Sequence, residues 1–432
     1  MKQLFFRFLE NFKGLQNKIA FYPTVFALFG IHFAFFMMYL ESKGISKYLL
    51  EHAAFLVVQN GNTALVILSA FISGLISMIV FSFSMVMLLL SQASSNYSPR
   101  LLPGLISDKT HQIILGIYLA TILYCILILF SIQPTGDQYQ IPGFSVLLGI
   151  LGTIISISAF IYFIHTISQS IQINHILDRV FKSAKNLLET LIEKESETNP
   201  VFPSTKDWHE YYTERSGYFQ DISTSLLLDI CVKKDIKLRI LPVKGLFILN
   251  GTPLFKSNKK LEDETVKEII AGLDFSRSEL VKDNYVLAFK QITEIIIKAM
   301  SPGINDPGTA INGIDYLTQL FALRLNKKDI SIISHENKAC IKFSTMKFEE
   351  LLYIVMASIR TYCKHDIVLI QKLLLMFKYL RTQKMIKQSY LDSIDTEVKT
   401  LLDDVKQAIT NQRDIDTALK MAKKLGLDIK KA

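Results

Sequence analysis

The stretch most suited to ligand binding spans residues 301–310, SPGINDPGTA, and lies between two segments with helical periodicity. Pro302 forbids continuation of the first helix, and Asp306 followed by Pro307 is typical of an N-cap with proline at the first helical position. The segment therefore predicts a tight elbow between two helices. A carboxylate and backbone N–H groups at one corner could also hold a polar ligand or a small ion. The candidate ligand-binding residues are Ser301, Asn305, Asp306 and Thr309.

Four polar residues lead up to this elbow: Arg277, Asp283, Gln291 and Glu294. We interpret them as a supporting polar network, for which structural salt bridges are the simplest role. The chain contains no GxxxxGK[ST], HExxH or GxSxG motif, and its eight histidines are dispersed. The sequence therefore predicts no catalytic residues, no metal site and no cofactor, and we do not expect an enzyme.

A second unusual pattern lies in residues 62–91, a run without a charged side chain. Its five serines are Ser69, Ser73, Ser77, Ser84 and Ser91. At about 100° per residue they fall within roughly 80° of one another, so one helix carries a hydroxyl stripe on an apolar surface. Two interpretations remain open. The stripe packs against the small-residue face that begins at Ser145 in the fourth span, or it lines a water-filled pathway.

The elements that carry these residues are those of a membrane protein. Half of the 432 residues are apolar, and four uncharged runs, at about 19–40, 62–91, 113–130 and 145–168, are long enough to cross a bilayer. We expect a mainly α membrane protein whose fourth span continues into the cytosol as one long helix. The lipid bilayer is then the first partner.

The charge pattern indicates the orientation and excludes one class of partner. The 48 Lys/Arg and 39 Asp/Glu residues form no dense basic block, so nucleic acid is not an expected partner. The first 18 residues carry four Lys/Arg, whereas residues 131–144 carry none. The positive-inside rule therefore predicts that both termini are cytoplasmic.

We divide the chain into five parts. Residues 1–18 are expected to form an interfacial helix, 19–168 the four-helix transmembrane domain, and 169–200 the long connecting helix. Residues 201–345 read as a cytosolic α+β domain, with a helix over 208–233 and small hairpins at 236–255 and 330–344. Residues 346–432 read as helical in four pieces.

The two sequence motifs resemble those of a known family. SPGINDPGTA and SQASSNYSPRLLP, which contains Ser98 and Arg100, are similar to the signatures of domain of unknown function 2254, a bacterial family of predicted membrane proteins. Gly308 stands where the family has a bulkier residue. The resemblance spans most of the chain and implies a multi-pass protein of the bacterial inner membrane. It implies no activity.

Two functions therefore remain. The first is an oligomeric pore or ion-conducting assembly, with the serine stripe facing water, a cytosolic gating domain and several copies of this chain around an axis. The second is a membrane-anchored ligand-binding or scaffold module, with the elbow as its site. The confinement of the serines to one helix face favours the assembly.

Overall fold

The computed structural model describes residues 20–96, 109–132, 141–170, 172–193, 195, 201–276, 284–336 and 338–424. The chain forms two compact units, Met1–Gln172 and Ile173–Ala432. The boundary falls within the connection predicted at 169–200. The predicted interfacial helix at 1–18 lies outside the described residues, and so do Ser98 and Arg100.

The first unit is helical. Its elements are α1 (Phe21–Ser42), α2 (Ile45–His52), a 3₁₀ turn (Ala54–Leu56), α3 (Gly61–Asn96), α4 (Lys109–Ser131) and α5 (Gly143–Ser170). Among the described residues, α1, α3, α4 and α5 are long and apolar enough to cross a membrane. The four predicted spans are therefore confirmed.

Small residues bring these helices close together. A Cβ on Gly30 of α1 would lie 2.5 Å from the carbonyl oxygen of Ala120 in α4, so only glycine permits this approach. At the end of α1, the Glu41 carboxylate accepts hydrogen bonds from the backbone N–H and the hydroxyl of Ser145 at 3.0 and 2.7 Å. The negative charge therefore satisfies donors in the first turn of α5.

The small-residue face of α5 does not pack on the serine stripe, so this part of the prediction is wrong. It packs on α4, where Ser156 donates a hydrogen bond to the Thr121 hydroxyl at 3.2 Å and Gly152 lies against the same threonine, and on α3, where Gly149 lies against Leu68. Helix α3 buries a different face. That face repeats every seven residues through Leu68, Leu75, Ser82 and Leu89.

The predicted continuation of the fourth span is present, but it is divided into two helices. Helix α5 ends at Ser170, and α6 (Ile173–Glu193) begins after Gln172, whose N–H bonds to the Gln169 carbonyl as in a tightened last turn. Helix α6 is strongly amphipathic and buries Leu177, Ala184 and Leu188.

The second unit combines helices with short strands. Its helices are α7 (Thr224–Lys234), α8 (Asp263–Ala271), α9 (Tyr285–Ala299), α10 (Pro307–Arg324), α11 (Phe348–Cys363), α12 (Ile367–Arg381), α13 (Ser389–Ala408) and α14 (Gln412–Lys423). Its strands are β1 (His209–Tyr212), β2 (Gly217–Ile222), β3 (Leu238–Ile240), β4 (Phe247–Ile248), β5 (Pro253–Ser257), β6 (Leu273–Ser276), β7 (Ile330–His335) and β8 (Lys338–Ser344).

The strands form two sheets. The larger has the order β1-β5-β3-β8-β7, in which β3 and β8 are parallel and the other neighbours antiparallel. The smaller has the order β4-β2-β6 and is antiparallel. Helices α6, α9, α10 and α11 pack on one another and place the elbow at the junction of α9 and α10.

Two local predictions in this unit are wrong. The helix expected at 208–233 is instead β1, β2 and the short α7, because aromatic residues around Gly217 fit paired strands better than a helix. The hairpin unit expected at 236–255 is wrong in its pairing: β3 pairs antiparallel with β5 across a longer connection, whereas β4 joins β2 in the other sheet. The hairpin at 330–344 and the four C-terminal helices are confirmed.

Candidate functional site

The elbow has the geometry that its sequence predicts. Asp306 is the N-cap of α10, where its side chain accepts hydrogen bonds from the Thr309 N–H at 3.1 Å and the Thr309 hydroxyl at 2.6 Å. Both carboxylate oxygens are therefore engaged. Asn305 adopts a left-handed backbone conformation with φ 47°, which asparagine tolerates better than most residues. The pair Asn305–Asp306 thus has a structural explanation.

The other polar groups of the elbow form hydrogen bonds with neighbouring residues along the chain. Ser301 donates its hydroxyl to the Lys298 carbonyl at 2.7 Å, and its own carbonyl accepts the N–H groups of Ile304 and Asn305. The elbow is largely exposed, and of its four predicted ligand-binding residues the structure joins Asp306 and Thr309 by side-chain hydrogen bonds. This arrangement closes a helix–helix junction at the surface of the second unit.

The predicted polar network is only partly visible. Gln291 is buried and Glu294 is half-buried on α9, two to three turns before the elbow. Arg277 and Asp283 lie outside the described residues. The role of the four residues as a network therefore stays a prediction.

The serine stripe lies on the surface of the first unit. Ser69, Ser73, Ser77, Ser84 and Ser91 are exposed, whereas Ser82 is buried on the opposite face of α3. Ser73, Ser77 and Ser84 donate their hydroxyls to the carbonyl four residues earlier, at 2.9–3.0 Å. Because the helix itself satisfies these hydroxyls, the stripe is compatible with lipid, water or another helix.

A feature that the sequence did not predict is a cavity of about 210 Å³ in the second unit. Leucines of α6, the first turn of α9 and strands β2, β7 and β8 contribute to its wall. The lining residues are Leu187, Leu191, Asp221, Val243, Lys244, Asn284, Tyr285, Val286, Lys327, Ser331, Phe343, Thr345 and Met346. One water molecule needs only about 10–15 Å³ of such space, so the cavity has room for a small organic molecule.

A buried lysine forms part of this wall. Lys327 is 1% exposed, and its ammonium donates to Glu195 Oε1 at 2.6 Å and to the Lys328 carbonyl at 3.1 Å. The other Glu195 oxygen accepts the Lys328 N–H at 2.9 Å. Burial lowers the pKa of Lys327, and the Glu195 carboxylate opposes that shift. A buried lysine with a shifted pKa in a cavity is typical of a functional site.

A second buried cation lies behind the cavity. Arg324 is fully buried and donates to the Lys327 carbonyl at 2.7 Å, to the Met346 carbonyl at 2.9 Å and to Asp329 at 2.5 Å. Burial alone would lower the pKa of Arg324, but its neighbours, Tyr285 and Asp329 among them, raise it above its ordinary value. These bonds fix the loop that carries Lys327.

Two polar side chains in the wall lack some of their hydrogen-bond partners. Asn284 is 6% exposed; its carbonyl oxygen caps α9 by accepting the Val286 N–H at 3.0 Å, while its amide NH₂ has no acceptor among the described residues. Tyr285 is 4% exposed, and its hydroxyl lies beside Arg324 without a well-aligned hydrogen bond in the described part of the chain. Burial raises the pKa of Tyr285.

The family model for the predicted membrane proteins of domain of unknown function 2254 matches residues 16–379. The chain belongs to this family. Among curated proteins, it is similar to an uncharacterized protein of Mycobacterium tuberculosis and to one of Mycobacterium bovis. Each is 22% identical over 359 residues, which cover 79% of this chain and 68% of the relative. No solved structure matches.

One signal in this family member's sequence points to the buried charges. Arg324 follows Leu317, Leu320 and Phe321 at helical spacing, on the apolar face of α10. A charged residue in phase with a buried face indicates a buried ion pair, since isolated buried charges are costly. Asn284 and Lys327 carry no comparable signal, because their neighbours in the cavity come from distant parts of the chain.

Proposed function

We propose that the chain is a membrane-anchored binding module of the bacterial inner membrane, with both termini in the cytoplasm. Four apolar helices anchor it, and the second unit binds a small molecule in the cavity beside Asn284 and Lys327. The carrying observation is the cavity itself, a partly open space with a buried ammonium and an amide donor in its wall. The Lys/Arg distribution supports the orientation.

The Asn284 amide is buried at a cost in free energy when nothing accepts its hydrogen bonds. A buried polar group left without a partner costs about 1–3 kcal/mol, so such groups persist where something outside the protein compensates. A cap could be made equally well by serine or aspartate, which have no NH₂ group. A bound molecule that accepts from this amide explains the choice of asparagine.

Native mass spectrometry of the purified chain tests this function. We expect a small-molecule adduct on the wild type and its loss in Ser331→Phe, which fills the cavity from β7. The matched control is Ile330→Phe, because neighbouring strand residues point to opposite faces and Ile330 is exposed. An adduct that survives Ser331→Phe, or a wild type that carries none, would contradict the proposal.

An oligomeric pore with a cytosolic gating domain is the second candidate function. The observation that favours it is the exposure of all five stripe serines on one face of α3. Serines at 69, 73 and 77 form a small-xxx-small pattern, which lets two membrane helices approach closely. Several copies of the chain would bring their stripes together around an axis. A monomeric mass in lipid nanodiscs would exclude this function.

A further inference from the structure

The buried polar side chains at the cavity offer hydrogen-bond donors, whereas the buried carboxylate beside them is fully engaged. Both oxygens of Glu195 are engaged, one by Lys327 and one by the Lys328 N–H. Asp221 accepts from Lys244 and from the Ile222 N–H through one oxygen, Oδ1, and its side chain is half-exposed. The buried carboxylate beside the cavity, Glu195, is thus already bound to groups of the protein.

The donors, in contrast, have spare capacity. The Asn284 amide has no acceptor among the described residues, and the Lys327 ammonium donates to two acceptors in the described part of the chain although it has three N–H bonds. Both side chains are more than nine-tenths buried, so bulk water does not supply the missing acceptors. A ligand that fits this wall must carry acceptor oxygens.

Charge narrows the class of ligand further. The ion pairs in and behind the wall balance one to one: Lys244 with Asp221, Arg324 with Asp329, and Lys327 with Glu195. The cationic group with a spare N–H in this wall is the Lys327 ammonium. An ionised oxygen accepts a hydrogen bond from an ammonium about twice as strongly as a neutral oxygen does, which favours a carboxylate, whereas a dianion would bring a second buried negative charge, which is costly.

The remaining wall is apolar. Leu187 and Leu191 of α6 face the cavity together with Val286, Phe343 and Met346. Apolar side chains of this kind contact a hydrocarbon body and do not favour a fully polar ligand.

We propose that the cavity binds a small organic carboxylate with a short aliphatic body, whose oxygens accept hydrogen bonds from the Asn284 amide and the Lys327 ammonium. This inference rests on the proposed binding function and specifies its ligand class. The carboxylate head lies between the two donors, and the aliphatic body lies against the α6 leucines.

Thermal unfolding of the full-length chain in detergent tests the ligand class. The probes are 3-methylbutanoate, its neutral isostere 3-methylbutanamide, and inorganic phosphate, compared at equal ionic strength. We expect 3-methylbutanoate to raise the melting temperature in a concentration-dependent way, because a ligand that binds only the folded state stabilises it. The amide and phosphate should produce no comparable rise.

The substitution Asn284→Asp tests the amide donor and keeps the N-cap of α9. An aspartate at this position still accepts the Val286 N–H, but it replaces the amide donor with a negative charge. We expect the affinity for 3-methylbutanoate to fall roughly tenfold to hundredfold, the usual effect of losing a hydrogen bond to a charged group. The matched control is Asn411→Asp, the same change at the exposed N-cap of α14, whose affinity should equal that of the wild type.

Each other outcome overturns the inference. An equal rise with 3-methylbutanamide would show that charge is not recognised, and a rise with phosphate alone would assign a different anion. Absence of any rise with 3-methylbutanoate, or an unchanged affinity in Asn284→Asp, would also reject it. The binding function itself is decided separately by the native-mass adduct and its loss in Ser331→Phe.

Discussion

At the scale of single residues, Asp306 is the clearest case in which sequence and structure agree. Its carboxylate caps α10, and the residues on either side have structural roles of their own: Asn305 takes the left-handed conformation and Pro307 occupies the first helical position. We expect Asp306→Ala to lower the free energy of unfolding by about 1 kcal/mol, the usual cost of a lost cap. Chemical denaturation of both proteins measures the difference.

The pH dependence of this difference follows from the pKa of Asp306. Hydrogen bonds from Thr309 hold that pKa below its ordinary value of 3.8. A lowered pKa in the folded state stabilises the fold above the ordinary value, and this contribution is lost as the pH falls through the folded-state pKa. The difference between wild type and Asp306→Ala should therefore stay constant above about pH 5 and narrow below about pH 4.

Divalent salt distinguishes a cap from a cation site at the same residue. Because Thr309 engages both oxygens of Asp306, we expect Mg²⁺ or Ca²⁺ to shift the melting temperatures of wild type and Asp306→Ala equally. A larger shift in the wild type would instead assign a bound cation to the elbow.

Only some of the important residues can be recognised from the sequence alone. The N-cap signal at Asp306 is local, because all its contacts lie within a few residues along the chain. Asn284 and Lys327 depend on partners or cavity neighbours up to 140 residues away, such as Leu187 and Glu195. A single sequence contains no local pattern that places those groups together.

At the scale of elements, apolar periodicity predicts the long helices well and the short strands poorly. The four spans follow from long uncharged apolar runs, and α9 to α14 from an apolar helical repeat whose residues are buried in the structure. Strands β1, β2 and β6 have four to six residues, and their stability comes from partners distant in sequence. Local propensity therefore misassigned the region around Gly217.

The serine stripe on α3 allows a test of whether this helix faces water. If α3 lines a pore, cysteines in Ser73→Cys, Ser77→Cys and Ser84→Cys should react rapidly with a small charged thiol reagent, since thiolates form in water and not in hydrocarbon. Ser82→Cys is the control, because Ser82 is buried on the opposite face. Cys125 is first replaced by alanine to remove the background. If none of the four cysteines reacts, the pore hypothesis is rejected.

At the scale of the whole molecule, orientation in the membrane decides which compartment supplies the ligand. The Lys/Arg-free connection between the third and fourth spans is expected outside the cytoplasm, and the second unit inside. A reporter active only in the periplasm should give signal when fused after Gly136 and none after Thr198. The reverse pattern would place the cavity outside the cytoplasm.

The central claim is that the cavity, and not the elbow, is the ligand site. Hydrogen–deuterium exchange with and without 3-methylbutanoate tests it at three amides that are bonded to side chains: Val286 to Asn284, Lys328 to Glu195, and Thr309 to Asp306. Binding in the cavity predicts slower exchange at Val286 and Lys328 and unchanged exchange at Thr309, since a ligand suppresses local opening where it binds. Slower exchange at Thr309 alone, or at none of the three, would contradict the account.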